Sequence, residues 1–447
     1  MITRRDFLGN SGKAGALLAT VSSGILPLTV AHAGAPGSDP HYRALVCIML
    51  SGGNDAYNML IPAESAEYAA YRKHRANLAL DRDALLPLVD NTRGRHFGLH
   101  PQMAEVASLY AAKEAALIAN VGTLVEPFEA DRVWSGRAQI PPDLFSHRAQ
   151  RQQWQTGCSQ AVTNNGWGSR AIDCLQHVNE SIASTRNISA SGPNIFQAGG
   201  SATSQLIPPV RGTRSRPSLS ANDAFDCLEA DPYCDYFEAH HPPSHGAGPR
   251  VKPSIEGVTG EHLGEIFSDS PFSRVLCGVA NTIESQLQLP AARQIFYVRF
   301  NGWDHHIDLL ADHAAMLSHL SRGLGEFRTA MVKLGVFDNV TAFTMSDFGR
   351  ALSSNGSGSD HGWGGHHIVV GGSVRGGRVF GRYPSLDPSN PLHLGQGVFA
   401  PSLSTDEYFA DLALWLGVPH GHITSLLPNL KSFYSTTTKR APVGFLA

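Results

Sequence analysis

The sequence is 447 residues long, with 35 Lys and Arg against 38 Asp and Glu, 42% hydrophobic residues and 16% charged ones. This composition excludes wholesale disorder, and the absence of a basic excess gives no reason to expect a nucleic-acid partner. The 21 His residues direct attention to metal or acid–base chemistry, and 45 Gly with 27 Pro promise many tight turns.

The chain opens with Thr3-Arg4-Arg5-Asp6-Phe7-Leu8-Gly9, a moderately apolar stretch from Ala14 to Val30, and then Ala31-His32-Ala33. A paired arginine before a weakly hydrophobic core and a small-residue cleavage site predicts a twin-arginine signal peptide over residues 1–33. The expected partner during export is the twin-arginine translocase, and the expected location is periplasmic or otherwise extracytoplasmic. No later run reaches about 18 apolar residues, so no stable membrane span is expected. All six Cys follow residue 33. Cys227 and Cys234 lie close together in a Pro/Asp-rich stretch and are the expected disulfide, whereas Cys47 lies in an apolar run and reads as a buried thiol.

Residues 43–50 are almost continuously apolar and stop at Ser51-Gly52-Gly53-Asn54-Asp55, which predicts a central parallel strand followed by a turn. A helix is expected over 102–113 and a strand over 115–121. Pro141-Pro142 precedes an expected helix containing Ser146 and His147, and 168–180 reads as helical. Residues 181–260 are rich in Ser, Pro and Gly and read as an insertion beside the carboxyl ends of the strands. Helical periodicity returns at 268–290, a strand follows at 294–300, and 307–334 is a long amphipathic helix. Strands are expected at 340–345 and 366–370, and a last helix at 406–416 before Gly417-Val418-Pro419. The repeated strand, turn and helix predict one domain over 34–447, a three-layer α/β/α sandwich with a mostly parallel central sheet.

Polar clusters follow three of these strands: Asn54-Asp55, then Trp303-Asp304-His305-His306, then Ser346-Asp347-Phe348-Gly349-Arg350. Strand carboxyl ends share one edge of a parallel sheet, where ligands bind. A fourth cluster, Asp360-His361-Gly362-Trp363-Gly364-Gly365-His366-His367, places three His on a Gly-rich turn. Carboxylates and imidazoles together suit one or two divalent ions such as Zn, Mn or Fe.

These segments, with Leu144-Phe145-Ser146-His147 and the tail from Tyr408 to Leu430, resemble a largely uncharacterised bacterial family of twin-arginine-exported proteins. That family is grouped with the alkaline phosphatase and sulfatase superfamily. The resemblance implies an alkaline phosphatase-like fold and metal-dependent hydrolysis of phosphate or sulfate esters, with a small anionic ester as substrate and Zn, Mn, Fe or Ca as the ion. It implies Asp55, Asp304, His306, Asp347, His361 and His366 as metal ligands. It implies Ser146 as nucleophile, with His147 and Arg350 beside it. Two departures stand out. Phe348 follows Asp347 where the superfamily often has His, and the Pro and Arg that follow a formylglycine precursor are absent after Ser146. The alternative reading is a degenerate member that binds a ligand or serves envelope assembly without catalysis.

Overall fold

The computed structural model describes residues 42–129, 137–161, 163–175, 186–201, 204–207, 261–287, 293–435 and 437–447. The expected signal peptide, Cys227 and Cys234 lie outside the described residues.

One nine-stranded sheet forms the centre. Across it the order is Val379–Gly381, Ala115–Gly122, Gly365–Gly371, Val340–Ser346, Arg43–Ser51, Arg293–Asn301, Asn187–Ser189 and Gln205–Leu206; Leu403–Ser404 also pairs with Ala115–Gly122. Arg43–Ser51 runs parallel to both neighbours. Gly365–Gly371 alone is antiparallel to its two neighbours. The four apolar runs expected as strands therefore occupy one mostly parallel sheet.

Alternation along Arg43–Ser51 shows why the fold has three layers. Val46, Ile48 and Leu50 join a core with Leu276 and Val279 of the helix Pro271–Gln286 and with Leu317, Leu320 and Leu324 of the helix Leu309–Lys333. Leu45, Cys47 and Met49 join a separate core with Trp154, Trp167, Phe409 and Leu412 on helices of the other face. A period of two sends successive side chains to opposite helix layers, so a strand covered on both faces reads as one apolar run. Cys47 is buried and free, as expected, and burial pushes its thiol pKa well up.

The last helix, Thr405–Leu416, starts at a capping box between Ser404 and Glu407. It ends at Gly417, whose φ of 111° suits a residue without Cβ. Asp406 accepts the backbone N–H of Asn429, and Asp411 accepts those of Val443, Gly444 and Phe445, which ties the C-terminal tail to this helix.

One placement differs from expectation. Asn187–Ser189 and Gln205–Leu206, inside the stretch read as an insertion, extend the sheet beyond Arg293–Asn301. Their shortness hid them, because two or three residues cannot display a strand period.

Candidate metal centre

Parallel direction brings the turns after Ser51, Asn301 and Ser346 to one edge. The reversed strand Gly365–Gly371 starts at that same edge, since Gly365 pairs with Val121 near the end of its neighbour. The segment before it, Asp360 to Gly364, is thereby delivered to the carboxyl ends of the other strands.

Close backbone approach holds the edge together. Gly52 has a φ of 121°, and a Cβ there would lie 2.5 Å from the Asp304 nitrogen. Only glycine lets the first turn lie against the second. The N–H of Gly52 donates to Asp347 Oδ2 at 3.1 Å, and the Gly52 carbonyl accepts from Arg350 Nη1 at 3.1 Å. Gly349 lies equally close to the fourth segment: a Cβ on it would be 2.1 Å from the Gly364 carbonyl oxygen. A short hairpin joins the third and fourth clusters. Arg350–Ser354 pairs antiparallel with Ser359–His361, and Arg350 stands opposite His361.

Asp304 is the focus of the site. Its Oδ1 lies 2.7 Å from Arg350 Nη1, 3.1 Å from His306 Nε2 and 3.4 Å from His361 Nε2. Its Oδ2 lies 3.3 Å from His147 Nε2. His306 Nε2 and His361 Nε2 are 3.0 Å apart. Donor atoms of His147, Asp304 and His361 all fall within 4.8 Å of one another, a grouping that one cation can satisfy.

The outer nitrogens explain the orientation of the rings. His361 Nδ1 lies 2.8 Å from the carbonyl oxygen of Phe145. A carbonyl only accepts, so Nδ1 carries a proton; in the neutral ring Nε2 then has its lone pair toward Asp304, and in the protonated ring it donates to that carboxylate. His147 Nδ1 donates to Asp347 Oδ2 at 2.8 Å, and His306 Nδ1 faces Asp360 Oδ1 at 3.5 Å. Each imidazole thus has an oxygen acceptor behind it and its Nε2 toward Asp304. A carboxylate or carbonyl behind a ligating imidazole is the arrangement that orients metal-bound His. In the metal-free site a proton bridges His147 Nε2 and Asp304, and with that proton removed the clustered nitrogens and carboxylate are a donor set of the kind that fits a divalent ion.

Electrostatics agrees. Burial pulls His147 down, but hydrogen bonds and charge from Asp304 and Asp347 outweigh it and push the ring up to about 9. Burial raises Asp304, yet His147, His361 and Arg350 hold it far below the usual carboxylate range. Burial likewise opposes Asp347, while Arg151 and His147 keep it ionised. A cation held by His147, Asp304 and His361 would take the place of the His147 Nε2 proton.

The sequence-predicted residues divide into four groups. Asp304, His306 and His361 converge, and His147 joins them by pointing its Nε2 at Asp304. Asp347 stands one step behind, orienting His147, and Arg350 is fully buried with its nitrogens on Ser359 O, Gly52 O and Asp304. Asp55 and His366 are not brought into the cluster. Asp55 is fully buried against the guanidinium of Arg75. His366 lies in the core, accepting the Asn120 N–H at 3.0 Å through Nδ1 and packing against Tyr57 and Tyr383. Ser146 is half-buried at the start of the helix His147–Thr156, and its Oγ accepts from the N–H of Ala149.

Two contributors were missed. Arg151 grips Asp347 with Nε and Nη2, both at 3.1 Å. It follows His147 by four residues, and that helical spacing is the signal that places both on one face. Phe348 packs on His147 and His361, with ring centroids 4.8 and 4.5 Å away, and forms an apolar wall beside them.

A family model matches residues 281–423. Its description is "Protein of unknown function (DUF1501)", and the matched span carries Asp304, His306, Asp347, Arg350 and His361. No curated protein matches the sequence. Among solved structures, the C-terminal periplasmic domain of EcEptC from Escherichia coli, in complex with Zn, is similar at 10% identity, with 84% of each chain covered and a TM-score of 0.35. The phosphonate monoester hydrolase of Agrobacterium radiobacter is similar at 11% identity, covering 84% of this chain and 74% of that one, with a TM-score of 0.34. Ps i-CgsB bound to k-i-k-neocarrahexaose is similar at 12% identity, covering 85% and 72%, with a TM-score of 0.36. Among the described residues, no helix is long and apolar enough to cross a membrane.

Proposed function

We propose that this protein is a metal-dependent hydrolase of phosphate or sulfate esters, acting in the periplasm after twin-arginine export. The observation that carries the reading is the convergence of three imidazole Nε2 atoms on Asp304, each ring backed by an oxygen acceptor. His147, Asp304 and His361 would hold the ion, with His306 on the same carboxylate. A bound divalent ion supplies Lewis-acid polarisation of an ester oxygen and favours ionisation of a nearby hydroxyl. Arg350 keeps Asp304 in place, Asp347 with Arg151 orients His147, and Phe348 excludes water from one side. Ser146, next to His147, is the proposed nucleophile.

One observation favours the alternative, a ligand-binding or envelope assembly protein without turnover. Asp304 and Asp347 already have guanidinium partners in Arg350 and Arg151, so a metal-free cluster is not left with bare anions. The test is hydrolysis of aryl phosphate and aryl sulfate esters by the mature protein supplied with Zn, Mn, Fe or Ca. The proposal requires ion-dependent turnover that His361→Ala abolishes and Ser146→Ala reduces at least a hundredfold. A correctly folded, ion-loaded protein with no turnover on any ester would favour the alternative.

A further inference from the structure

We propose that Gln150 is a positioning residue for the metal centre, acting through the backbone of Phe145 on His361. The inference rests on the proposed metal-binding reading, but one of its readouts does not need the ion.

Phe145 has a φ of 70°, in the left-handed region that a bulky aromatic residue rarely adopts. The residue is 37% exposed, so burial in the core does not impose this conformation. Its two backbone polar groups are held instead. The N–H donates to Gln150 Oε1 at 2.8 Å, and the carbonyl accepts from His361 Nδ1 at 2.8 Å. Left-handed backbone persists in such a residue only where the surroundings over-determine it.

Gln150 is itself fixed. It is fully buried one turn after His147 on the same helix, and its Nε2 donates to Thr123 Oγ1 at 3.3 Å. Thr123 in turn accepts the indole N–H of Trp363 through its carbonyl at 2.9 Å. The amide of Gln150 therefore ties together three segments at the sheet edge: the end of Ala115–Gly122, the turn before the helix His147–Thr156, and the His361–Trp363 turn. The Asp143–Ser146 turn that contains Phe145 is closed by the Ser146 N–H on the Asp143 carbonyl at 3.1 Å, and within that turn the Gln150 oxygen is the partner that fixes the Phe145 N–H. A change in its backbone would swing the carbonyl away from His361. The imidazole would then be free to move its proton from Nδ1 to Nε2 and lose its aimed lone pair.

The test compares wild type, Gln150→Met and Gln150→Glu in the full mature chain. Met matches the shape of Gln without an acceptor; Glu keeps an oxygen for the Phe145 N–H. Zn²⁺ affinity is measured by competition with a chromophoric chelator, and the His361 tautomer by imidazole ¹⁵N spectra of the metal-free protein at alkaline pH. Gln150→Met should weaken Zn²⁺ binding by about tenfold or more, the scale seen when support behind a metal ligand is lost. It should also shift metal-free His361 from the Nδ1–H form toward Nε2–H. Gln150→Glu should restore most of both. A folded Gln150→Met protein with unchanged Zn²⁺ affinity and tautomer would overturn the proposal, as would a lowered melting temperature with neither readout moved. If Gln150→Met does not fold, Thr123→Val removes the oxygen anchoring the Gln150 amide and carries the same test, again with tautomer and affinity as readouts. A wild type that binds no Zn²⁺ would refute the metal reading alone; the tautomer comparison would still decide the role of Gln150.

Discussion

Asp55 and Arg75 form an ion pair with both side chains fully buried, and this pair predicts a specific pattern of stability. Arg75 also donates to Asn58 Oδ1 at 3.0 Å and to the carbonyls of Ala351 and Leu352 at 3.1 and 3.2 Å. It thereby links the first turn to the strand that begins at Arg350. Arg75→Met removes the charge, keeps much of the volume, and leaves a carboxylate buried without compensation. Breaking one side of a buried pair costs about 3–5 kcal/mol. Asp55→Asn strands the guanidinium in the same way and should cost a similar amount. Once either charge is gone, removing the other costs little, so the double variant should be more stable than the sum of the single losses by about 2 kcal/mol or more. Equilibrium urea denaturation of the four proteins measures the cycle. Metal content should be unchanged in all of them, because Arg75 already occupies the carboxylate of Asp55. Strictly additive losses, or an Asp55→Asn protein that folds normally but no longer retains an ion, would refute this reasoning.

Two further predictions concern pH. Burial pulls His366 and His367 down to about 3, against about 6.5 in an unfolded chain. Below pH 6.5 the unfolded chain takes protons that the folded one refuses, so the pair should cost about 3 kcal/mol of stability per pH unit around pH 5; urea midpoints that stay level between pH 7 and 5 would contradict this. Asp406 has the opposite effect. Burial raises it to about 8, so it stays protonated in the folded state where an unfolded Asp ionises near 4. Stability should fall by about 1.4 kcal/mol per pH unit as pH rises from 4 toward 8. Asp406→Asn should flatten that slope and raise stability at pH 7 by a few kcal/mol, read from denaturation curves at pH 5 and 7; an unchanged slope would count against it.

The sheet was legible because its strands are covered on both faces and so appear as unbroken apolar runs. The long helix Leu309–Lys333 was legible because only one of its faces is covered, which imposes a period. Asp304, His306 and His361 were legible because polar residues after strands of a parallel sheet share an edge. What was not legible depends on side-chain partners. No spacing rule says that Asp55, rather than Asp347, meets a buried arginine 20 residues later. His366 and His361 belong to one run of imidazoles, but His366 is the second residue of a strand whose alternation turns it into the core. Arg151 lies on a helix whose apolar content is low, so its role emerges only once that helix is seen to start at the strand edge.

Elemental analysis of the purified mature protein, alongside its His361→Ala variant, tests the central claim most directly. The account predicts about one equivalent of Zn, Mn, Fe or Ca per wild-type chain. Chelator should remove it with a lowered melting temperature, and the correctly folded variant should lack it. Wild-type protein without bound ion, unresponsive both to added divalent ions and to chelator, would contradict the account.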